Sequence, residues 1–258
     1  MGNQEPTDVE ASSLRLPRAL PTASQLDVSF NCPGSRELPH VEPVATPAML
    51  AGTALHLTLQ RWIESGCPED IPANPAVARR LAPRDKIPTL HKLPELPAIA
   101  EVAVWVDPVF ETAGVICTGR RPEKHEYQVG EHIFSGTIDA VGQLDTGEVV
   151  ALDWKGRTRS DWQVRFAGVA VALLTKAPEV TALEIFNPSG LWDRRPMDTE
   201  DVAVCLEQLR EHARELLAQR SGFPPRFQTG EHCRYCRAYE ACPKREEARA
   251  YRTKGNGK

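Results

Sequence analysis

Two aspartates and a lysine near the middle of the chain are residue types that could bind a hard cation and activate water: Asp139, Asp153 and Lys155. Carboxylate oxygens hold Mg²⁺ or Mn²⁺, the ion polarises a phosphodiester and acidifies water, and a lysine orients that water or neutralises charge. The backbone carbonyl of Trp154 could supply a further oxygen ligand. An Asp-x-Lys triplet is common by chance, so an exposed ion pair between Asp153 and Lys155 is the alternative.

A β-hairpin is predicted to position these three side chains. One arm covers residues 133–144, the turn at 145–147 reads Asp-Thr-Gly, and residues 148–155 return as a mostly apolar strand. Side chains alternate along a strand with a period of two, so Asp153 and Lys155 point to the same side of the sheet. Two acids and a lysine on one face are costly without a cation, and the hairpin therefore predicts a metal site.

Two more polar side chains are predicted to reach this site from other elements. His56 lies on a helix predicted over residues 47–65, which ends before Gly66. Its imidazole would make Mn²⁺ more competitive, although a helical histidine is more often an ordinary core or surface residue. Glu101 lies in a strand predicted over residues 99–106, where it is expected to face the acidic site.

A basic segment follows the hairpin and begins a helix predicted over residues 161–176. From Lys155 to Lys176 the chain carries five basic residues against one acidic residue. Positive charge beside an acidic metal site suits a polyanion threaded across it, whereas a solvated helix face is the alternative. The candidate nucleic-acid contacts are Arg157, Arg159 and Arg165.

Composition narrows the class of protein. The chain has 258 residues, 41% of them hydrophobic, and a net charge of -4, so nucleic-acid binding through bulk charge is excluded. The longest apolar run, residues 166–174, is too short to span a bilayer, which predicts a cytoplasmic protein with no membrane partner. Seven cysteines, an odd number, are then more plausible as buried residues or metal ligands than as disulfides.

The order of patterns predicts one mixed α/β domain over residues 21–244, with a sheet between helices. Residues 1–20 are predicted to form a flexible tail and residues 245–258 a basic tail. The stretch 68–97 contains seven prolines, which exclude a long helix, and it is predicted to be an insertion packed on the surface. The remaining predicted elements are a short helix from Thr22 that leads to Cys32, a strand at 114–118, a strand at 181–186 and a helix at 199–220.

Five ordered features carry a resemblance to a known family: Gly52-x-x-x-His56, Glu101 at the start of a strand, Gly136-x-Ile-Asp139, Asp153-Trp-Lys155 and Gln163. Together they resemble the RecB-like branch of the PD-(D/E)XK nuclease superfamily. The resemblance implies a restriction-endonuclease-like αβββαβ core. Two positions depart from the family pattern, because Trp154 stands where a tyrosine is common and Ala167 where an aromatic residue often follows the glutamine.

Carried over to this chain, the resemblance gives each candidate residue a role. His56, Asp139 and Asp153 would bind the catalytic Mg²⁺ or Mn²⁺, and Lys155 would assist hydrolysis. Gln163 would support the site, and Glu101 would be a secondary acidic position.

Both ends of the domain resemble members of that branch that carry an iron–sulfur cluster, such as AddB-type recombination nucleases and CRISPR-associated exonucleases. The N-terminal pattern is Thr22-x-Ser24-x-Leu26 followed by Cys32-Pro33, and the C-terminal pattern is Cys233-x-x-Cys236-x5-Cys242-Pro243. The resemblance implies a [4Fe–4S] cluster on Cys32, Cys233, Cys236 and Cys242, which would join the N- and C-terminal segments. Thiolate chemistry and spacing alone suit Zn²⁺ equally well.

The function implied by the resemblance is that of a metal-dependent DNA nuclease. More narrowly, it would be an exonuclease for single-stranded or frayed DNA ends, with protein partners in DNA repair or recombination, phage replication or CRISPR adaptation. The alternative is a non-catalytic DNA-binding or scaffolding subunit of a recombination complex. All of the expected acidic and lysine positions are filled, which favours the nuclease.

Overall fold

The computed structural model describes residues 20–41, 46–66, 75–120, 122–123, 125–127, 129–155, 161–187 and 189–253. Its helices are α1 (Leu26–Asn31), α2 (Pro47–Glu64), α3 (Pro75–Ala78), α4 (Asp161–Thr175), α5 (Thr199–Arg220) and α6 (Arg245–Thr253). Its strands are β1 (Ala100–Asp107), β2 (Thr112–Thr118), β3 (Phe134–Gln143), β4 (Val149–Lys155), β5 (Glu179–Phe186) and β6 (Leu191–Asp198). Among these residues, no helix has the length and apolar character to cross a membrane.

The six strands form one mixed sheet with the order β2-β1-β3-β4-β5-β6. All neighbouring strands are antiparallel except β4 and β5, which are parallel because α4 crosses over the sheet between them. The β3–β4 hairpin therefore occupies the middle of the sheet. The predicted mixed sheet flanked by helices is confirmed.

One face of the sheet packs against α1, α4 and α5. Apolar side chains of α4 and α5, such as Phe166 and Leu209, are buried against strand residues that include Val104 and Phe134. The helical spacing of these residues predicted α4 and α5, and both helices lie where the sequence put them. Burial of this apolar surface is the main stabilising contribution of the face.

The opposite face packs against α2 and the proline-rich segment. Leu59 and Trp62 of α2 are buried with Leu152 of β4, and Leu90 of the proline-rich segment joins the same cluster. Within residues 75–97 the longest helix is α3, with four residues, as the five prolines of this range require. The described part of this segment supplies buried side chains to the core in addition to covering the sheet.

Strand β6 was not predicted from the sequence. Of its eight residues only Met197 is buried, and Pro196 interrupts the pattern. The strand lies at the edge of the sheet and pairs only with β5, a position where proline and polar residues are tolerated. An exposed edge strand lacks the alternation on which the prediction of strands depends.

Four rings form a stack that connects three helices to the sheet. Phe30 of α1 stacks on Trp162 of α4 with ring centroids 3.9 Å apart, and on His212 of α5 at 4.2 Å. His212 also stacks on Phe134 of β3, and its Nε2 lies 2.8 Å from the Ser29 hydroxyl oxygen. The short helix predicted to lead to Cys32 is thus present as α1 and is fixed against α4.

The N-terminal segment also contacts the C-terminal segment through its backbone. Gly34 N–H donates to the carbonyl oxygen of Arg226 at 2.9 Å, and Val41 N–H donates to that of Arg237 at 3.0 Å. The N–H of Gln228 lies 3.4 Å from the sulfur of Cys32. The two segments that carry the cysteine motifs are therefore adjacent.

Candidate metal centre

The β3–β4 hairpin brings the two predicted aspartates together. Ala140 pairs with Leu152, so one further step along the same register sets Asp139 opposite Asp153. Asp139 is 7% exposed and Asp153 is 5% exposed. The register therefore brings the two carboxyl groups to neighbouring strand positions.

A compact group of possible ligands forms around Asp139. Ligand atoms of His56, Glu101 and Asp139 all lie within 4.8 Å of one another, and His56 Nδ1 is 3.2 Å from Asp139 Oδ1. The side chains come from α2, β1 and β3, which meet at this point of the sheet. Glu101, for which the resemblance implied a secondary position, belongs to this compact group.

Asp153 belongs to a second, adjoining network with Lys155 and Gln163. Lys155 Nζ lies 2.5 Å from Asp153 Oδ2 and donates to Gln163 Oε1 at 3.0 Å. The amide of Gln163 in turn donates to Asp153 Oδ1 at 2.9 Å. The three side chains therefore hold one another in a closed ring of polar contacts beside the compact group.

Trp154 contributes through its backbone N–H, which donates to Asp139 Oδ2 at 2.8 Å. This bond holds the second oxygen of Asp139 while the first faces His56. The indole is buried among apolar side chains on the α2 side of the sheet. The carbonyl of Trp154 as a metal ligand stays a prediction.

Burial and mutual repulsion separate the proton affinities of the two aspartates. Burial and the neighbouring charge of Asp139 raise the pKa of Asp153 to about 7, against the opposing effect of Lys155. Burial works in the same direction on Asp139, but His56, the Trp154 N–H and Lys155 outweigh it and lower the pKa of Asp139. The negative charge therefore resides mainly on Asp139.

His56 responds to the same carboxylates. Burial favours its neutral form, but Asp139, Asp153 and Glu101 outweigh that effect and raise its pKa above the ordinary value. A divalent cation would compete with this proton for the same ligands, since an imidazole must be neutral to coordinate a metal.

The donor set fits a hard divalent cation. Two nearly buried carboxylates, Glu101 and Asp139, converge with one imidazole, and like charges buried together are unfavourable unless a cation compensates them. Oxygen ligands suit Mg²⁺ and Mn²⁺, and the nitrogen of His56 makes Mn²⁺ more competitive.

The backbone of Glu101 is strained, a feature that sequence reasoning did not find. Its φ is 46°, in the left-handed region that side chains with a Cβ rarely adopt. Its carbonyl oxygen accepts from the N–H of Gly119 at 3.1 Å, which helps to hold this conformation. Such strain is concentrated at functional sites, but nothing in the residue type of Glu101 signals it.

The basic residues after the hairpin are only partly described. Arg157 and Arg159 lie outside the described residues. Arg165 Nε lies 2.8 Å from Asp161 Oδ2, and Asp161 also pairs with Arg195. Arg165 is thus part of an ion-pair network at the start of α4, and its predicted contact with nucleic acid is untested.

The four cysteines of the two terminal motifs line one cavity: Cys32, Cys233, Cys236 and Cys242. All four are free thiols, and burial raises the pKa of both Cys233 and Cys236. Among the described residues, no three of their sulfur atoms lie within 4.8 Å of one another, so they form no compact group. An iron–sulfur cluster is not shown.

One residue of this cavity was missed by sequence reasoning. His232 lines it as well, with Nε2 at 3.7 Å from the sulfur of Cys233. Of the other cysteines, Cys117 and Cys205 do not line this cavity, and Cys67 is outside the described residues.

Comparison with known proteins gives a family and little beyond it. The model of the PD-(D/E)XK nuclease superfamily matches residues 23–243. No curated protein matches the sequence. Among solved structures, a crystal structure of a protein named SSO0001 is 17% identical over 44% of this chain and 52% of that chain, with a TM-score of 0.28. This chain therefore spans about half the length of that protein.

Proposed function

The chain belongs to the PD-(D/E)XK nuclease superfamily, and on that premise we propose that it is a metal-dependent deoxyribonuclease acting on single-stranded or frayed DNA ends. The observation that carries this proposal is the convergence of His56, Glu101 and Asp139 within 4.8 Å, directly beside the ring formed by Asp153, Lys155 and Gln163. The family supports the divalent metal and the DNA substrate. Cleavage from ends is the finer part of the proposal.

Each residue has a role in this proposal. His56, Glu101 and Asp139 would hold the ion, and Asp153, opposite Asp139, would border it on the other strand. When bound, a divalent ion supplies a Lewis acid that polarises the phosphodiester and acidifies water.

The ring of polar contacts positions Lys155. Its ammonium group is fixed by Asp153 and Gln163 and its side chain is only 13% exposed, so its charge acts in a site of low dielectric constant. There it can orient the attacking water and stabilise negative charge on the phosphate in the transition state.

The test is cleavage of labelled DNA with Mg²⁺ or Mn²⁺ by purified variants. We expect Asp153→Ala and Lys155→Ala to lose at least about a hundredfold in rate, the usual loss of a group that stabilises transition-state charge. Asp145→Ala is the matched control, because Asp145 lies in the turn of the same hairpin and its side chain is 80% exposed. The proposal would be contradicted if both site variants kept full activity and thermal unfolding showed that both are folded.

Preference for ends needs a separate measurement. We expect a linear single strand to be degraded, while a covalently closed circular strand of the same sequence survives. If the linear and the circular strand were degraded equally, the protein would still be a nuclease, but the proposal that it cleaves from ends would be wrong. The activity would fit end processing in recombination or repair, phage replication or CRISPR adaptation.

For the cysteine cavity, a [4Fe–4S] cluster is the proposed occupant. A single zinc ion with Zn–S bonds of about 2.3 Å requires tetrahedral sulfurs roughly 3.8 Å apart. The observation that supports a cluster is that Cys32, Cys233, Cys236 and Cys242 line one cavity, because four thiolates are the usual ligands of a [4Fe–4S] cluster. Iron and acid-labile sulfide should be found in protein purified without oxygen. Zinc without iron would contradict the cluster and would not affect the nuclease proposal.

A further inference from the structure

Two cavities flank three consecutive residues in the C-terminal motif. Tyr235, Cys236 and Arg237 line both cavities. One cavity extends along the N-terminal segment, where Ser24, Gln25, Val28, Ser29, Ser35, Arg36 and His40 line it. The other extends along the C-terminal segment, where Arg234, Tyr239, Glu240 and Arg252 line it together with Val41 of the N-terminal segment. Because they share these three residues, the two cavities adjoin, and together they are called the Tyr235 groove.

The residues that line the groove carry more positive than negative charge. Arg237 is exposed, and neither it nor Arg252 forms an ion pair with a residue in the described part of the chain. Glu240, the carboxylate that lines the groove, lies 2.9 Å from Arg245, which already balances it. Arg36 adds a third guanidinium, oriented by its bond to Gln25 Oε1 at 2.9 Å. The surface thus attracts an anion although the whole chain has a net charge of -4.

An exposed aromatic ring stands between the arginines. Tyr235 is 63% exposed, and its hydroxyl makes no hydrogen bond to any residue that the structure describes. Tyr239, by contrast, is buried beneath Arg252, whose guanidinium carbon lies 4.3 Å from the ring centroid. An open aromatic ring beside guanidinium groups is the combination that binds the bases and phosphates of single-stranded nucleic acid.

The groove lies one helix away from the hydrolytic site. Val28 and Ser29 of its wall belong to α1, and Asp27 of that helix accepts from the N–H of Trp162 at 3.0 Å. Trp162 precedes Gln163, which bonds both Lys155 and Asp153. The α1 wall of the groove is thus joined to the helix that carries Gln163.

We propose that the Tyr235 groove binds a single-stranded nucleic acid, with Tyr235 stacking on a base and Arg36, Arg237 and Arg252 contacting phosphates. The inference deepens the proposed function and rests on it for the identity of the polyanion. It assigns the recognition of an unpaired strand to a surface distinct from the metal centre.

Binding can be measured without cleavage. We would record the fluorescence anisotropy of a labelled thymidine oligonucleotide of about twenty nucleotides, in EDTA, over a range of salt concentrations. Tyr235→Ala should weaken binding about tenfold, the usual loss of one stacked base, whereas Tyr235→Phe keeps the ring and should bind like the unmodified protein. Arg237→Ala should reduce the slope of log affinity against log salt by about one.

Two matched variants control for general effects. Phe110→Ala removes a ring that is 75% exposed in the β1–β2 turn, and Arg214→Ala removes an exposed arginine of α5 that is outside the groove. Neither should change affinity. Iron content and thermal unfolding of Tyr235→Ala verify that the nearby Cys236 is undisturbed.

The two proposals fail in different ways. Unchanged affinity in Tyr235→Ala, or an equal loss in Phe110→Ala, would overturn the groove even when cleavage is normal. If the protein bound the oligonucleotide through the groove but cleaved no DNA, the nuclease proposal would be wrong and the groove proposal would stand. An unmodified protein that does not bind the oligonucleotide at all would overturn the groove as well.

Discussion

At the scale of single residues, the carboxyl groups of Asp139 and Asp153 determine the charge of the metal centre. They face each other across β3 and β4. Asp139 is contacted by His56 and the Trp154 N–H, and Asp153 is contacted by Lys155 and the Gln163 amide. Asp153, with a pKa raised to about 7, exchanges its proton near neutrality. Without a cation, Asp153 and His56 are therefore partly protonated near neutral pH, and a cation that binds there displaces these protons.

The sequence was sufficient to predict which of these residues lie near one another, but it did not predict the backbone conformation of Glu101. Asp139, Asp153 and Lys155 could be placed together because strand pairing and the period of two follow from local patterns. The positive φ of Glu101 results from tertiary contacts, so a strand pattern alone implied only a secondary position.

Glu101 provides the first prediction at this scale. Glu101→Gly and Glu101→Ala should both lose metal-dependent cleavage, but the glycine variant should be more stable by about 1 kcal/mol, since glycine adopts positive φ without a clash. The measurement is the free energy of unfolding in urea with EDTA present. Equal stability of the two variants would show that the backbone at Glu101 relaxes freely.

At the scale of elements, the helices and the hairpin were predictable and the edge of the sheet was not. The helices predicted at 47–65, 161–176 and 199–220 agree with α2, α4 and α5 to within one residue at each end. Their apolar stripes face the sheet, so burial and propensity act in the same direction. Strand β6 is held by backbone pairing to β5, which leaves almost no trace in side-chain pattern.

The approach of the N-terminal segment to the C-terminal segment depends on Gly34. A Cβ at this position would lie 2.8 Å from Phe227 Cε1 and 2.9 Å from the backbone oxygen of Arg226. We therefore expect Gly34→Ala to lower the free energy of unfolding by about 1–3 kcal/mol, as overpacking does.

Gly52 is the matched control for this prediction. It lies inside α2, and a Cβ there would meet no atom within 4 Å. Gly52→Ala should therefore raise stability by about 1 kcal/mol through helix propensity. Urea unfolding of both variants is the measurement, and a Gly34→Ala protein as stable as the unmodified one would contradict the close approach.

At the scale of the whole molecule, the two faces of the sheet are covered by different helices, and each helix contributes a side chain to the site. Helix α2 delivers His56 from one face, and α4 delivers Gln163 from the other. The two polar networks meet at the hairpin in the middle of the sheet. Assembly of the site thus requires both layers to pack, and the complete arrangement could not be deduced from any single segment.

The stability of the whole domain should depend on the protonation of His212. Burial lowers the pKa of His212 to about 4, while an unfolded histidine titrates near about 6.5. The unfolded chain binds this proton first, so the contribution is complete above about pH 6.5 and is lost as the pH falls towards 4. The loss from this residue should be about 3 kcal/mol.

Urea unfolding at several pH values between 4 and 7.5, roughly the window of this titration, measures the effect. His212→Gln, which can still bond to Ser29, should show a smaller decrease in stability on acidification. Identical pH profiles for His212→Gln and the unmodified protein would contradict the buried neutral imidazole.

The ring stack of Trp162, Phe30 and His212 has a geometric consequence. Flat rings at centroid distances of 3.9 and 4.2 Å cannot slide far without exposing apolar surface, so α1 and the start of α4 keep a constant separation. Val28 and Ser29 line the Tyr235 groove from α1, and Gln163 directly follows Trp162 in α4. The stack therefore couples the position of the α1 wall of the groove to that of the α4 residue that holds Asp153 and Lys155.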